Sequence, residues 1–181
     1  MKKFGKWIGA GLGWTIGGPI GAVLGFAFGS IIDAAGIEKY EKQNLTTKGD
    51  FIVSLLILIA GVLKADKSVV KSELNFVKQH LVKTFGEEEA SEMLLLLRDL
   101  LKQDIPLEEV GNQIKYKMNY ASRLELYYLL YGIAYADGKI EPAELELLDQ
   151  IALLIGITST DARSVKSMFF KSTDWAYETL G

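Results

Sequence analysis

Two stretches of this chain set carboxylates around a short loop: Ala65-Asp66 followed by Glu73, and Ala136-Asp137 followed by Glu141 and Glu144. Clustered carboxylate oxygens are hard donors that suit a hydrated divalent cation. Asp66, Glu73, Asp137, Glu141 and Glu144 are therefore the candidate metal-binding residues. A structural account competes with that one and is favoured by the residue types. The Asp closes the loop, and the Glu stands in the first turn of the next helix, where the backbone dipole attracts an anion. Little else could do chemistry. The chain has no cysteine and one histidine, His80, which removes disulfides, thiolate sites and His-rich metal sites. There is no phosphate loop, nucleophile elbow or catalytic constellation, so the chain reads as non-enzymatic.

The second loop, "ADGKIEPAEL" (136–145), looks like the later half of an EF-hand, but that loop also needs oxygen donors at its first and third places. With Asp137 at the fifth place, those positions hold Ile133 and Tyr135. The first copy has Val62 and Lys64 there, and Lys67 where the glycine belongs. Neither loop is an EF-hand, and no cofactor is implied beyond that divalent cation.

The loops are parts of a larger duplication. "GVLKADKSVVKSELNFVKQHLV" (61–82) aligns with "GIAYADGKIEPAELELLDQIAL" (132–153), pairing Gly61 with Gly132, Asp66 with Asp137 and Glu73 with Glu144. The body is thus an all-α domain built from a repeated helix-loop-helix unit with pseudo-twofold symmetry. Apolar spacing and stop signals predict helices near 48–65, 70–85, 87–103, 106–119, 121–136, 142–155 and 159–171. "LLLLRDLLKQ" (94–103) is apolar nearly all round and predicts the central helix. Tyr120, Tyr127, Tyr131 and Tyr135 fall at helical spacing, as core aromatics with polar tips do.

A different pattern fills the N-terminus. Gly5, Gly9, Gly13, Gly17, Gly21, Gly25 and Gly29 recur at every fourth place, and Trp7 to Ile32 carries no charge. That run exceeds the roughly 18 residues a membrane-spanning helix requires. In hydrocarbon, small residues four apart let helix backbones approach closely. The ladder predicts a glycine-zipper transmembrane helix that self-associates into a homodimer through Gly9, Gly13, Gly17, Gly21, Gly25 and Gly29. Gly17-Gly18-Pro19, at its midpoint, predicts a kink or turn. The alternatives to an anchor are a cleaved secretory signal ending near Gly29 and a glycine-rich hairpin packed on the body. Flanking lysines are balanced and give no orientation. The first 32 residues hold three lysines and no acid, so the body is more acidic than the chain's net −3. An acidic body excludes a general nucleic-acid binder.

The glycine-rich opening, "KADKSVVKSEL", "AYADGKIEPAEL", "RDLLKQDIPLEEV" and "SVKSMF" together resemble the membrane-anchored DnaJ-like co-chaperones of the DjlA type. The middle domain of that family is similar to the tellurite-resistance TerB domain. The likeness divides the chain into a transmembrane segment (1–33), a linker (34–47), a TerB-like domain (48–172) and the start of a J domain (173–181), since "DWAYETLG" resembles a J-domain opening. It implies a membrane-associated adaptor in the bacterial inner membrane, single-pass, with a cytoplasmic body that would position a J domain. No His-Pro-Asp tripeptide is present, so a DnaK-type partner is implied only if a J domain follows Gly181. The rival implication is a soluble cytoplasmic, metal-responsive stress domain.

Overall fold

Helix boundaries form where local chemistry stops or starts a hydrogen-bonded run. The Thr47 hydroxyl accepts a hydrogen bond from the Asp50 N–H, and the Asp50 carboxylate accepts one from the Thr47 N–H, a reciprocal N-cap. Asn119 caps a later helix through the Ser122 N–H, and Pro142 opens another. Gly86, at φ +93°, separates two consecutive helices in a conformation other residues adopt poorly.

The computed structural model describes residues 13–28, 46–65 and 71–180. Among them are eight α-helices and no strand: α1 (Gly18–Phe28), α2 (Lys48–Lys64), α3 (Lys71–Phe85), α4 (Glu87–Leu100), α5 (Leu107–Lys117), α6 (Tyr120–Ala134), α7 (Pro142–Leu154) and α8 (Ser159–Leu180). A 3-10 turn, Trp14–Ile16, precedes α1. The all-α class agrees with the sequence reading. α8 runs on through most of the 173–181 stretch, past the stop expected at 171.

The centre is α2, not the leucine-rich helix. Every residue from Ile52 to Leu63 is buried, so α2 touches neighbours on all sides. α4 is amphipathic instead: Leu96, Leu97 and Leu100 face inward, while Leu95 and Arg98 are exposed. Four leucines in a row look apolar all round, but Glu92, Arg98 and Asp99 keep one stripe polar.

The duplication appears as matched contacts. α2 crosses α6, its counterpart; α2 packs on α4 as α6 packs on α8; α3 reaches α6 as α7 reaches α2. Tyr127 and Tyr131 of α6 are fully buried in the second half of the core. Tyr131 stacks on Phe169 with ring centres 5.4 Å apart, and Tyr127 meets Tyr131 edge-on at 5.6 Å. Burial, with Asp149 nearby, pushes both phenols well above their ordinary range.

His80, on α3, faces Gly132 of α6. A Cβ at Gly132 would lie 3.3 Å from the imidazole. Burial, and secondarily Lys83, lowers the His80 pKa below 6.5. The unfolded chain therefore takes up the proton at higher pH than the folded one. This contribution is intact above about pH 6.5 and is lost as the pH falls from there toward the folded pKa. Thermal melts of wild type and His80→Gln at about pH 7.5 and about pH 5.5 should show a smaller acid-side loss in the variant. Parallel losses would contradict this placement.

Candidate functional site

Two groups of residues were singled out by sequence, the glycine ladder and the repeated acidic loops, and the described residues place parts of both.

The ladder does not make an uninterrupted rod. After the turn at Trp14–Ile16, Gly17 is extended and α1 begins at Gly18, with φ +66°. The kink expected at Gly17-Gly18-Pro19 is therefore present, and the continuous helix expected from Trp7 to Ile32 is interrupted within its described part. Such a break leaves backbone donors and acceptors without helical partners, a costly state away from water. Two side chains of the body supply them. Asp50, fully buried, accepts from the Gly13 N–H (2.7 Å), the Thr15 N–H (3.3 Å) and the Thr15 hydroxyl (2.5 Å). Gln113, on α5, accepts from the Ile20 N–H at 2.8 Å and donates to the carbonyls of Trp14 (3.0 Å) and Gly17 (2.7 Å). The Trp14 indole N–H donates to Thr46. One amide thus caps the first turn of α1 through the Ile20 N–H and adds a second donor to two carbonyls that already accept from the Gly17 and Gly21 N–H groups.

Apolar contact follows from this positioning. Ile20, Val23 and Leu24, spaced i, i+3, i+4, are buried, and α1 lies on α4 and α5. Each buried side chain of this kind contributes roughly 1.5–3 kcal/mol before ordering costs. The described ladder glycines divide by role. A Cβ on Gly21 would fall 1.8 Å from the Ile16 carbonyl oxygen, and one on Gly13 would fall 2.8 Å from Asp50. Gly17 and Gly25 have open space around them. Gly13 and Gly21 therefore serve contacts within the chain. Gly9 and Gly29 lie outside the described residues. No helix among the described residues is long and apolar enough to cross a membrane.

The second acidic loop is held by its own carboxylates. Asp137 accepts from the Lys139 N–H at 3.2 Å, and Gly138 takes φ +88° to turn the chain. Glu144, 6% exposed, accepts from the Glu141 N–H at 3.1 Å in a capping box. Beside the loop is a pocket of about 20 Å³ with Leu63, Val77 and Ile133 in its wall. That space suits a single water. Among the described residues, no three His, Asp or Glu side chains converge as metal ligands. Asp66 lies outside the described residues, and the side chain of Glu73 does too. Asp137, Glu141 and Glu144 all border this pocket without converging on one point: Glu141 and Glu144 share the capping box, and Asp137 closes its own turn.

Sequence reasoning missed Asp50 and Gln113. The available signal was Thr15, the one hydroxyl in the first half of an apolar run, together with the Thr-x-x-Asp cap at 47–50.

Comparison with known proteins adds family context. The family model for tellurite resistance protein TerB matches residues 53–167, and the model for the transmembrane domain of the co-chaperone DjlA matches residues 1–44. Two curated relatives are named co-chaperone protein DjlA. The one from Haemophilus influenzae is 26% identical, over 87% of this chain and 58% of its own length. The one from Pasteurella multocida is 20% identical, over 97% of this chain and 64% of its own length. The chain therefore spans less than two thirds of either relative. No solved structure matches it.

Two substitutions separate the roles of these acids. Asp50→Ala leaves the N–H groups of Gly13 and Thr15 without their acceptor and should cost about 3 kcal/mol. Hydrogen exchange should report loss of protection at the Thr15 amide; an unchanged melting midpoint with Thr15 still protected would contradict the docking. Glu144→Ala should cost about 1 kcal/mol through the lost cap, equally in chelator and in millimolar calcium. A calcium-dependent difference, with shifts at Gly138, would favour metal binding instead.

Proposed function

The chain belongs to the TerB family, and from that premise we propose that it is a membrane-associated, non-enzymatic co-chaperone adaptor. The observation that carries this reading is the order of the two matches. A segment similar to the DjlA transmembrane domain precedes a TerB domain, as one continuous likeness to proteins named co-chaperones. In this reading residues 1–33 hold the chain to the inner membrane, and the helical body on the cytoplasmic face acts as an interaction module. The docked turn at Trp14–Ile16 leaves one face of α1 exposed. It orients α1, whose Ile20, Val23 and Leu24 face the body while Ala22 and Gly25 are turned outward. Small outward residues are the kind on which membrane helices pack together, and they support homodimerisation through this face. A DnaK-type chaperone belongs to the reading only through a J domain with its His-Pro-Asp.

Fractionation tests the reading. After carbonate extraction of cells expressing the full chain, the protein should remain with the membranes; release into the supernatant would overturn it. Gly17→Leu with Gly25→Leu should reduce cross-linked dimer several-fold and leave the unfolding free energy of the body within about 0.5 kcal/mol of wild type. Undiminished cross-linking would remove the outward face of α1 from the interface.

A further inference from the structure

The duplication supplies an internal control for what each half of the body leaves uncovered. Gly61 and Gly132 fix the register, and both lie inside unbroken helices, so α2 maps onto α6 along its length. Asp50, Val53, Ser54 and Ile57 then correspond to Ala121, Leu124, Glu125 and Tyr128, one face at spacing i, i+3, i+4, i+7. In the first copy all four have no exposed surface. The turn at Trp14–Ile16 sits on that helix, with Gly13 and Thr15 bonded to Asp50, and α1 lies on the neighbouring α4. In the second copy Ala121, Glu125 and Tyr128 are exposed, Tyr128 by 44%. Among the described residues only Phe169 of α8 packs on the Tyr128 ring, with ring centres 5.5 Å apart, and nothing closes over the rest of this face. What remains is a mostly apolar groove of about 410 Å³ between α6 and α8, with Leu124, Tyr128, Val165 and Met168 in its walls. Met168 is 62% exposed.

We infer that this groove is a docking site for an amphipathic helix of a partner protein, with an apolar stripe flanked by lysine or arginine. The inference rests on the adaptor reading and gives it a surface. The kind of occupant follows from the other copy, where the equivalent helix pair is covered by a segment whose helix contributes Ile20, Val23 and Leu24 at i, i+3, i+4. The charge follows from the substitutions between copies. Ser54 becomes Glu125, which has no ion pair among the described residues, and Asp161 of α8 joins the same groove. Asp161 accepts from the Tyr120 hydroxyl at 2.5 Å, which fixes its carboxylate at the groove wall. A helix entering between these two acids is favoured if its flanks are cationic. The N-terminal segment of a second copy is a poor occupant in the pose of the first. Ala121 stands where Asp50 would be, so the broken turn's N–H groups would enter without an acceptor.

The test uses the full chain and a synthetic amphipathic helix with leucines at helical spacing and lysines on both flanks. Controls are a glutamate-flanked version and a scramble of the same composition. The lysine-flanked helix should bind, moving the resonances of Tyr128, Val165 and Met168, and both controls should bind at least about tenfold more weakly. Met168→Glu should weaken binding by a similar factor, and Glu125→Lys should reverse the preference between lysine and glutamate flanks. Equal binding of the scramble, shifts confined to another face, or indifference to both substitutions would overturn the proposal. A peptide-free dimer that Met168→Glu dissociates would overturn it too, assigning the groove to a second copy. Carbonate extraction of the same variants keeps the two readings apart. Lost peptide binding with membrane retention intact removes the groove alone, and release of wild type removes the adaptor.

Discussion

The fully buried carboxylate of Asp50 is the constraint on which the arrangement of the N-terminal half depends. It lies in the first turn of the central helix and receives hydrogen bonds from two sides, its own cap at Thr47 and the broken turn around Gly13 and Thr15. A buried carboxylate is tolerated only when its lone pairs are occupied. Those bonds stabilise the start of α2 and dock residues 13–16, so the capping of one helix and the placement of another segment are a single event. Gln113 completes the junction from α5 and bonds three backbone groups at once. With the break held at both ends, α1 has one orientation available, and the orientation decides which ladder glycines face inward.

That division explains why a regular glycine spacing gave an incomplete account. Every fourth residue being glycine is what a helix-packing ridge requires, and it is also compatible with a chain that folds back sharply on itself. Gly21 illustrates the second use. Its missing side chain admits the Ile16 carbonyl at a distance where no other residue fits. Sequence periodicity reports the size of residues, not which backbone comes close to them. The decisive partners, Asp50 and Gln113, lie 35 and more residues away, beyond the reach of any local pattern.

The body was far more legible. Its helices follow from apolar spacing, caps and stops, and the pairing of α2–α4 with α6–α8 follows from two aligned Ala-Asp loops. The loop acids were also readable as capping groups, because Asp-Gly and Pro-x-Glu are local chemistry and local chemistry is what a sequence displays. Centrality was not readable. "LLLLRDLL" is more uniformly leucine than α2, yet α2 is the helix enclosed on every side. Enclosure depends on which other elements arrive: the Trp14–Ile16 turn, α4, α5, α6 and α7 all pack on α2.

The same reasoning explains why the two halves diverged in composition after sharing one design. A duplicated helix pair has two equivalent outer faces, and any appendage attached at one end of the chain can cover only one of them. In the covered copy the face became Asp50, Val53, Ser54 and Ile57, with a carboxylate turned to internal hydrogen bonding. In the uncovered copy it became Ala121, Leu124, Glu125 and Tyr128, with its carboxylate facing solvent and an aromatic carrying a polar tip. A surface kept merely soluble has no need of leucine, tyrosine, valine and methionine in one continuous groove. Tyrosine and methionine together offer apolar area that tolerates water when empty and repacks when filled. Among the described residues, the asymmetry of the pseudo-twofold therefore separates a face closed by the chain's own opening turn from a face that is open to an occupant.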